Sequence, residues 1–100
     1  MLNRADILQI ILRALDTVND EMGPDDKFEV GPTTGLFGAN AALDSLSLVS
    51  VIVDVEGDVS SAIGRAISLT DDRAMSRAVS PFTDVQALTD YIVELLAEAA

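Results

Sequence analysis

Residues 45–59 read Ser-Leu-Ser-Leu-Val-Ser-Val-Ile-Val-Asp-Val-Glu-Gly-Asp-Val, and the fold class turns on them. Five Val or Ile residues between positions 46 and 56 favour a strand on propensity alone. The spacing favours a helix. Ser47, Ser50, Asp54 and Asp58 are polar at steps of three, four and four, which is one helical stripe. Leu48, Val51, Ile52, Val55 and Val59 fill a second stripe at helical spacing, and all are apolar. A strand would alternate, and Val51-Ile52-Val53 does not. The pattern predicts an amphipathic helix over 45–59, with Gly57 as its end signal.

Upstream, residues 3–18 carry Ile7, Ile11, Leu15 and Val18 at steps of four, four and three, with Leu8 and Leu12 beside them. A helix is expected there, with Asn3 as its N-cap and Gly23-Pro24 as its stop. Residues 20–43 form a long connection rich in Gly and Pro, a length that in a small domain usually has a function. Phe28, Val30, Leu36 and Phe37 are its expected core anchors. Downstream, Ile63, Ile67 and Leu69 mark an irregular turn or a short helix within 60–69. Thr70 caps an expected short helix over 71–78, with Asp71 and Asp72 in its first turn and Pro81 beyond its end. Thr83 and Gln86 make a T-x-x-Q capping box. Val85, Leu88, Ile92, Leu95 and Leu96 then trace one face of a final helix, and Tyr91 is expected at the core edge. The sum is an all-α chain of one domain: three main helices and a short one, with a long first loop.

The composition excludes several functions. The chain has 100 residues, no His and no Cys, so a His-based triad, a thiol nucleophile, a zinc-thiolate site and a disulfide framework are impossible. Lys27 is the single lysine. Leu, Ile, Val and Phe supply 32 residues, well above the roughly 20% below which chains tend to stay disordered. Net charge is −11, from 17 acidic against 6 basic residues. That disfavours nucleic acid and anionic membranes and favours a basic protein partner. Arg4, Asp6 and Arg13 interrupt the apolar N-terminal stretch, and no run approaches the roughly 18 residues of a membrane span. A cytoplasmic monomer is expected.

Gly31, Gly35 and Gly38 lack the Lys-Ser or Lys-Thr of a P-loop. The acids around Gly57 miss the calcium-loop template, whose twelfth position falls on Arg65. Asp44-Ser45-Leu46 has more to offer. It stands where the Gly/Pro loop meets the start of an apolar helix. By itself, Asp44 or Ser45 reads as an N-cap. A serine there also presents its hydroxyl to solvent, and a phosphodiester on it would lie at the positive end of the helix, near free backbone N–H groups.

With Leu43-Asp44-Ser45-Leu46 stand the helix 48–56, the run Ile67-Ser68-Leu69-Thr70-Asp71-Asp72, and Phe82-Thr83-Asp84-Val85-Gln86 followed by Leu88-Thr89-Asp90-Tyr91-Ile92. Gly35-Leu36-Phe37-Gly38 leads in. Over most of its length, and in this order, the chain resembles the acyl carrier proteins. The resemblance implies a covalent 4′-phosphopantetheine on Ser45, installed from coenzyme A by a phosphopantetheinyl transferase. The thiol of that arm would hold an acyl or aminoacyl group as a thioester, and the carrier itself would catalyse nothing. Asp44 would help dock the transferase, and Leu46 would anchor the helix start in the core. Ser47, Ser50, Asp54, Glu56 and Asp58 would face loading, acyltransferase or synthase enzymes through their basic patches. The apolar positions 48, 51, 52, 55, 59, 85, 88, 92 and 95 form the core and would shelter the cargo.

Three departures bear on the pathway. Ser47 and Ser50 stand where acids are common in the family, which points to dedicated partners rather than housekeeping fatty-acid enzymes. Leu43 replaces a small residue, as in D-alanyl and some specialised carriers. The stretch 57–69 is longer than in compact members. The expected role is an acyl carrier in a specialised lipid, polyketide or cell-envelope pathway. An aminoacyl carrier is the near alternative, and a helical interaction module without prosthetic group is the alternative from another class.

Overall fold

A computed structural model of the chain describes residues 2–21, 23–25, 27–37, 43–64, 66–69 and 80–99, with the side chains of 45, 98 and 99 outside the description. Three helices occur among these residues: α1 (Arg4–Glu21), α2 (Ser45–Ile63) and α3 (Val85–Ala99). No strand accompanies them beyond one antiparallel bridge between Gly35 and Asp84. The expected short helix over 71–78 and its Thr70 cap lie outside the described residues. Helix α1 packs against both α2 and α3, and the radius of gyration is 13.0 Å, as about 13 Å is expected for a compact chain of this length. Among the described residues, no helix is long and apolar enough to cross a membrane.

Helix α1 begins where Asn3 caps it. Asn3 Oδ1 accepts from the Asp6 N–H at 2.9 Å, and the Asn3 N–H donates to Asp6 Oδ2 at 3.1 Å. This reciprocal pair satisfies donors that a helix start leaves open. Ile7, Ile10, Ile11, Ala14, Leu15 and Val18 bury one face. The helix runs a turn beyond the expected 18, to Glu21. There Lys27 Nζ donates to the Asn19 carbonyl at 2.9 Å. The Asn19 amide bonds both the N–H and the carbonyl of Phe28, each at 3.0 Å, and so ties the returning loop to the helix end.

The loop is anchored as expected at Phe28, Val30 and Leu36, but not at Phe37. The Leu36 N–H donates to the Thr83 carbonyl at 3.0 Å, and the Val85 N–H to the Thr34 carbonyl at 3.1 Å. This pairing turns Leu36 into the core at 1% exposure and leaves its neighbour Phe37 outside at 58%.

In α2 the helical period prevails over β propensity because one face buries completely. Val51, Val55 and Val59 have no exposed surface, Ile52 has 8%, and Leu48 packs beside them. Gly57 does not end the helix. Val59 and Ile63 continue the apolar stripe beyond it, so packing offsets the roughly 1 kcal/mol helix penalty of glycine. The end comes at Gly64, whose φ of 76° is left-handed and whose N–H donates to the Ser60 carbonyl.

Residues 66–69 are not helical. Two α2 side chains hold them: Ser60 Oγ accepts from the Ile67 N–H at 3.0 Å, and Glu56 Oε2 accepts from the Leu69 N–H at 2.6 Å. Leu69 is thereby sunk fully into the core.

Helix α3 starts one residue later than the T-x-x-Q pattern implies. Asp84 is the cap, its Oδ1 accepting from the Ala87 N–H at 2.8 Å, while the Thr83 hydroxyl donates backwards to the Ser80 carbonyl at 2.9 Å. A carboxylate already sits next to Thr83, and aspartate caps at least as well as threonine. Val85, Leu88, Tyr91 and Ile92 are buried, with Leu95 and Leu96 packed against the core. Tyr91, expected at the core edge, is 1% exposed because it shares the helical stripe of Leu88 and Ile92.

Candidate functional site

The end of the loop and the start of α2 meet at Asp44. Its backbone is extended, with φ −79° and ψ 174°, and its carbonyl accepts the Leu48 N–H at 2.9 Å. Its Oδ1 accepts the Ser47 N–H at 2.7 Å. That bond is the main cause that holds the Asp44 carboxyl below its ordinary value, helped by the Ser47 hydroxyl and the Leu46 N–H. Ser45 is therefore the first residue of a capped helix, at the positive end of the backbone dipoles. Its side chain lies outside the described residues.

Leu46 does not anchor the helix start. It is 79% exposed, while Leu43 is 7% exposed and does the anchoring. The cause is geometric: position 46 lies on the far side of the helix from Val51 and Val55. Leu43 and Leu48 instead occupy the two positions of a hydrophobic staple around the Asp44 cap.

The five residues expected to face partners separate. Ser50, Asp54 and Asp58 are exposed. Ser47 is half-buried and spent on Asp44. Glu56 is half-buried and spent on the Leu69 N–H. In their place the structure presents Val49 at 55% and Val53 at 58% exposure, beside Leu46. These three were legible as a spacing of three and four residues, but the richer apolar stripe on the other face masked them.

The positions expected to shelter a cargo are the core itself: Val51, Val55, Val59, Val85, Leu88 and Ile92 have no exposed surface. An open groove of about 390 Å³ lies between α1 and α2, lined by residues such as Ile10, Arg13, Asp58 and Ser61. It borders the C-terminal half of α2, away from Ser45. No group of three or more acidic side chains able to hold a metal ion occurs among the described residues. Comparison with known protein families, curated proteins and solved structures gives no match to this chain.

Proposed function

We propose that the chain is a carrier whose Ser45 bears 4′-phosphopantetheine and which presents acyl thioesters to the enzymes of a specialised lipid, polyketide or cell-envelope pathway. The observation that carries the reading is the helix start: Ser45 is the first residue of α2, directly after the Asp44 cap. A phosphodiester on this serine would meet the N-terminal N–H groups of the helix, where an anion is favoured. The Asp44 carboxylate is turned onto the Ser47 N–H, which offsets its charge beside the phosphate. The prosthetic group would supply the thiol that a chain without cysteine lacks. The protein's own part would be to hold Ser45 at the junction of loop and helix and to give a transferase the exposed Asp44 beside it.

Intact mass before and after incubation with coenzyme A and a broad-specificity phosphopantetheinyl transferase tests the proposal. One added phosphopantetheine on the native chain, and none on Ser45→Ala of equal helicity, is the expected result. Loading of Ser45→Ala would overturn the site. No loading by any of several transferases would overturn the carrier reading.

A further inference from the structure

We infer that the groove between α1 and α2 binds a small zwitterion: a free α-amino acid with a branched apolar side chain. Arg4, Arg13 and Lys27 are the cations among the described residues, and two of them are already engaged. Arg4 pairs with Asp90, and Lys27 donates to the Asn19 carbonyl. The Arg13 guanidinium has no partner among these residues. It lines the groove from α1, and Asp58 lines it from α2 with a carboxylate that has no partner among them either. An arginine in a chain of 17 acids and 6 bases rarely lacks choice of acids, yet here the two opposite charges border one space without closing on each other. Both are left for a molecule that lies between them.

The chemistry of the walls selects the ligand. A guanidinium takes a carboxylate through two parallel N–H donors, and a carboxylate takes an ammonium. Asp58 is the acid free for that second role. Asp6 also lines the groove, but its Oδ2 already accepts the Asn3 N–H, and it stands roughly 10 Å from Arg13 along the α1 axis. Ile10, Leu2 and Ala62 add the apolar surface on which a side chain can rest. The volume of about 390 Å³ is near the lower end of small-molecule sites, which suits an amino acid. A simple anion would meet Arg13 but also Asp6, Asp58 and the field of a chain at −11. A simple cation would meet Asp58 but leave Arg13 facing a like charge. A zwitterion is neutral as a whole and satisfies both walls. The groove is open and its charged groups are exposed, so the affinity expected for a ligand as small as leucine is modest, with Kd about 1–10 mM.

The groove borders the C-terminal half of α2, so the inference stands or falls apart from the role of Ser45. The test titrates the full chain with L-leucine and follows the backbone amides by NMR. The amides of Ile10, Arg13, Asp58 and Ser61 should shift and saturate in the millimolar range. Bound across α1 and α2, leucine should also raise Tm as its concentration rises. Two probes each lack one charge: 4-methylpentanoate has no ammonium, and 3-methylbutylamine has no carboxylate. Each should bind about threefold or more weakly than leucine, as should glycine, which leaves Ile10 uncovered. Arg13→Gln should weaken leucine without weakening 3-methylbutylamine, and Asp58→Asn should weaken leucine without weakening 4-methylpentanoate. Asp54→Asn, outside the groove, and Ser45→Ala should bind leucine like the native chain. No saturable shift in the millimolar range, shifts centred away from the groove, either one-charge probe or glycine binding as well as leucine, or undiminished leucine binding in Arg13→Gln or Asp58→Asn would each overturn the inference.

Discussion

Glu56 stands on α2 among residues that face solvent, yet its carboxylate is committed inside the fold, and Glu56→Ala measures that commitment. Its Oε2 accepts the Leu69 N–H at 2.6 Å in a half-buried setting. A hydrogen bond to a charged group is worth about 1.5–3 kcal/mol, and partial solvation here places the expectation near the lower end. Alanine is also the better helix former, by a few tenths of a kcal/mol, which offsets part of the loss. A net destabilisation of about 1–2 kcal/mol follows, and for a chain of this size that lowers Tm by about 4–12 °C. Glu56→Gln keeps an acceptor without the charge and should lose about half as much. The second tie, from Ser60 Oγ to the Ile67 N–H, holds the same segment, so Glu56→Ala and Ser60→Ala should be non-additive in a double-mutant cycle. Thermal melts give the free energies, and amide hydrogen exchange at Leu69 locates them. In Glu56→Ala the Leu69 amide should lose protection more than the amides of α1. A Leu69 amide as protected as in the native chain, or a melt unmoved by the substitution, would refute the reasoning.

Glycine offers a pair of opposite signs on one helix. Gly57 lies inside α2 with open space around it, so Gly57→Ala should stabilise by about 1 kcal/mol; Gly64 has a φ of 76°, so Gly64→Ala should destabilise by about 1 kcal/mol despite equal room, both read from urea melts. Asp44 has its carboxyl pKa depressed by the Ser47 N–H, so the cap's contribution is full above the unfolded value of about 4 and is lost as pH falls through the lower folded value. Urea melts across that acid range should show this loss in the native chain, and Asp44→Asn, which caps without titrating, should remove that part of the slope.

Much of the helical framework was legible because its causes are local. The steps of three and four that carry Ile7, Ile11 and Leu15, and those of Val51, Val55 and Val59, specify both the element and its buried face. Asn3 and Asp44 cap the helices they precede, since a cap needs only the next three residues. The helix end at Gly64 was less legible, because glycine permits a stop at 57 and at 64 alike and the packing of Val59 and Ile63 chooses between them. The exposure of Leu46, Val49 and Val53 was hidden for a related reason: in so apolar a helix, pattern alone ranks the two faces and cannot say that the weaker one stays bare.

Local sequence thus dictated that this chain forms three amphipathic helices, which faces they bury, and that Ser45 follows an acidic cap at a helix start. Contacts between residues distant in sequence decided the rest. Leu36 rather than Phe37 is buried because the Thr83 carbonyl takes its N–H from the far end of the chain. Glu56 is withdrawn from the surface because the Leu69 backbone, 13 residues on, needs an acceptor. Leu46, Val49 and Val53 remain in water because α1 offers α2 one face to cover. A side chain's intrinsic preference is written in its own few neighbours, but its partner is supplied by whatever the packed helices bring within 3 or 4 Å, about the reach of a hydrogen bond or a van der Waals contact.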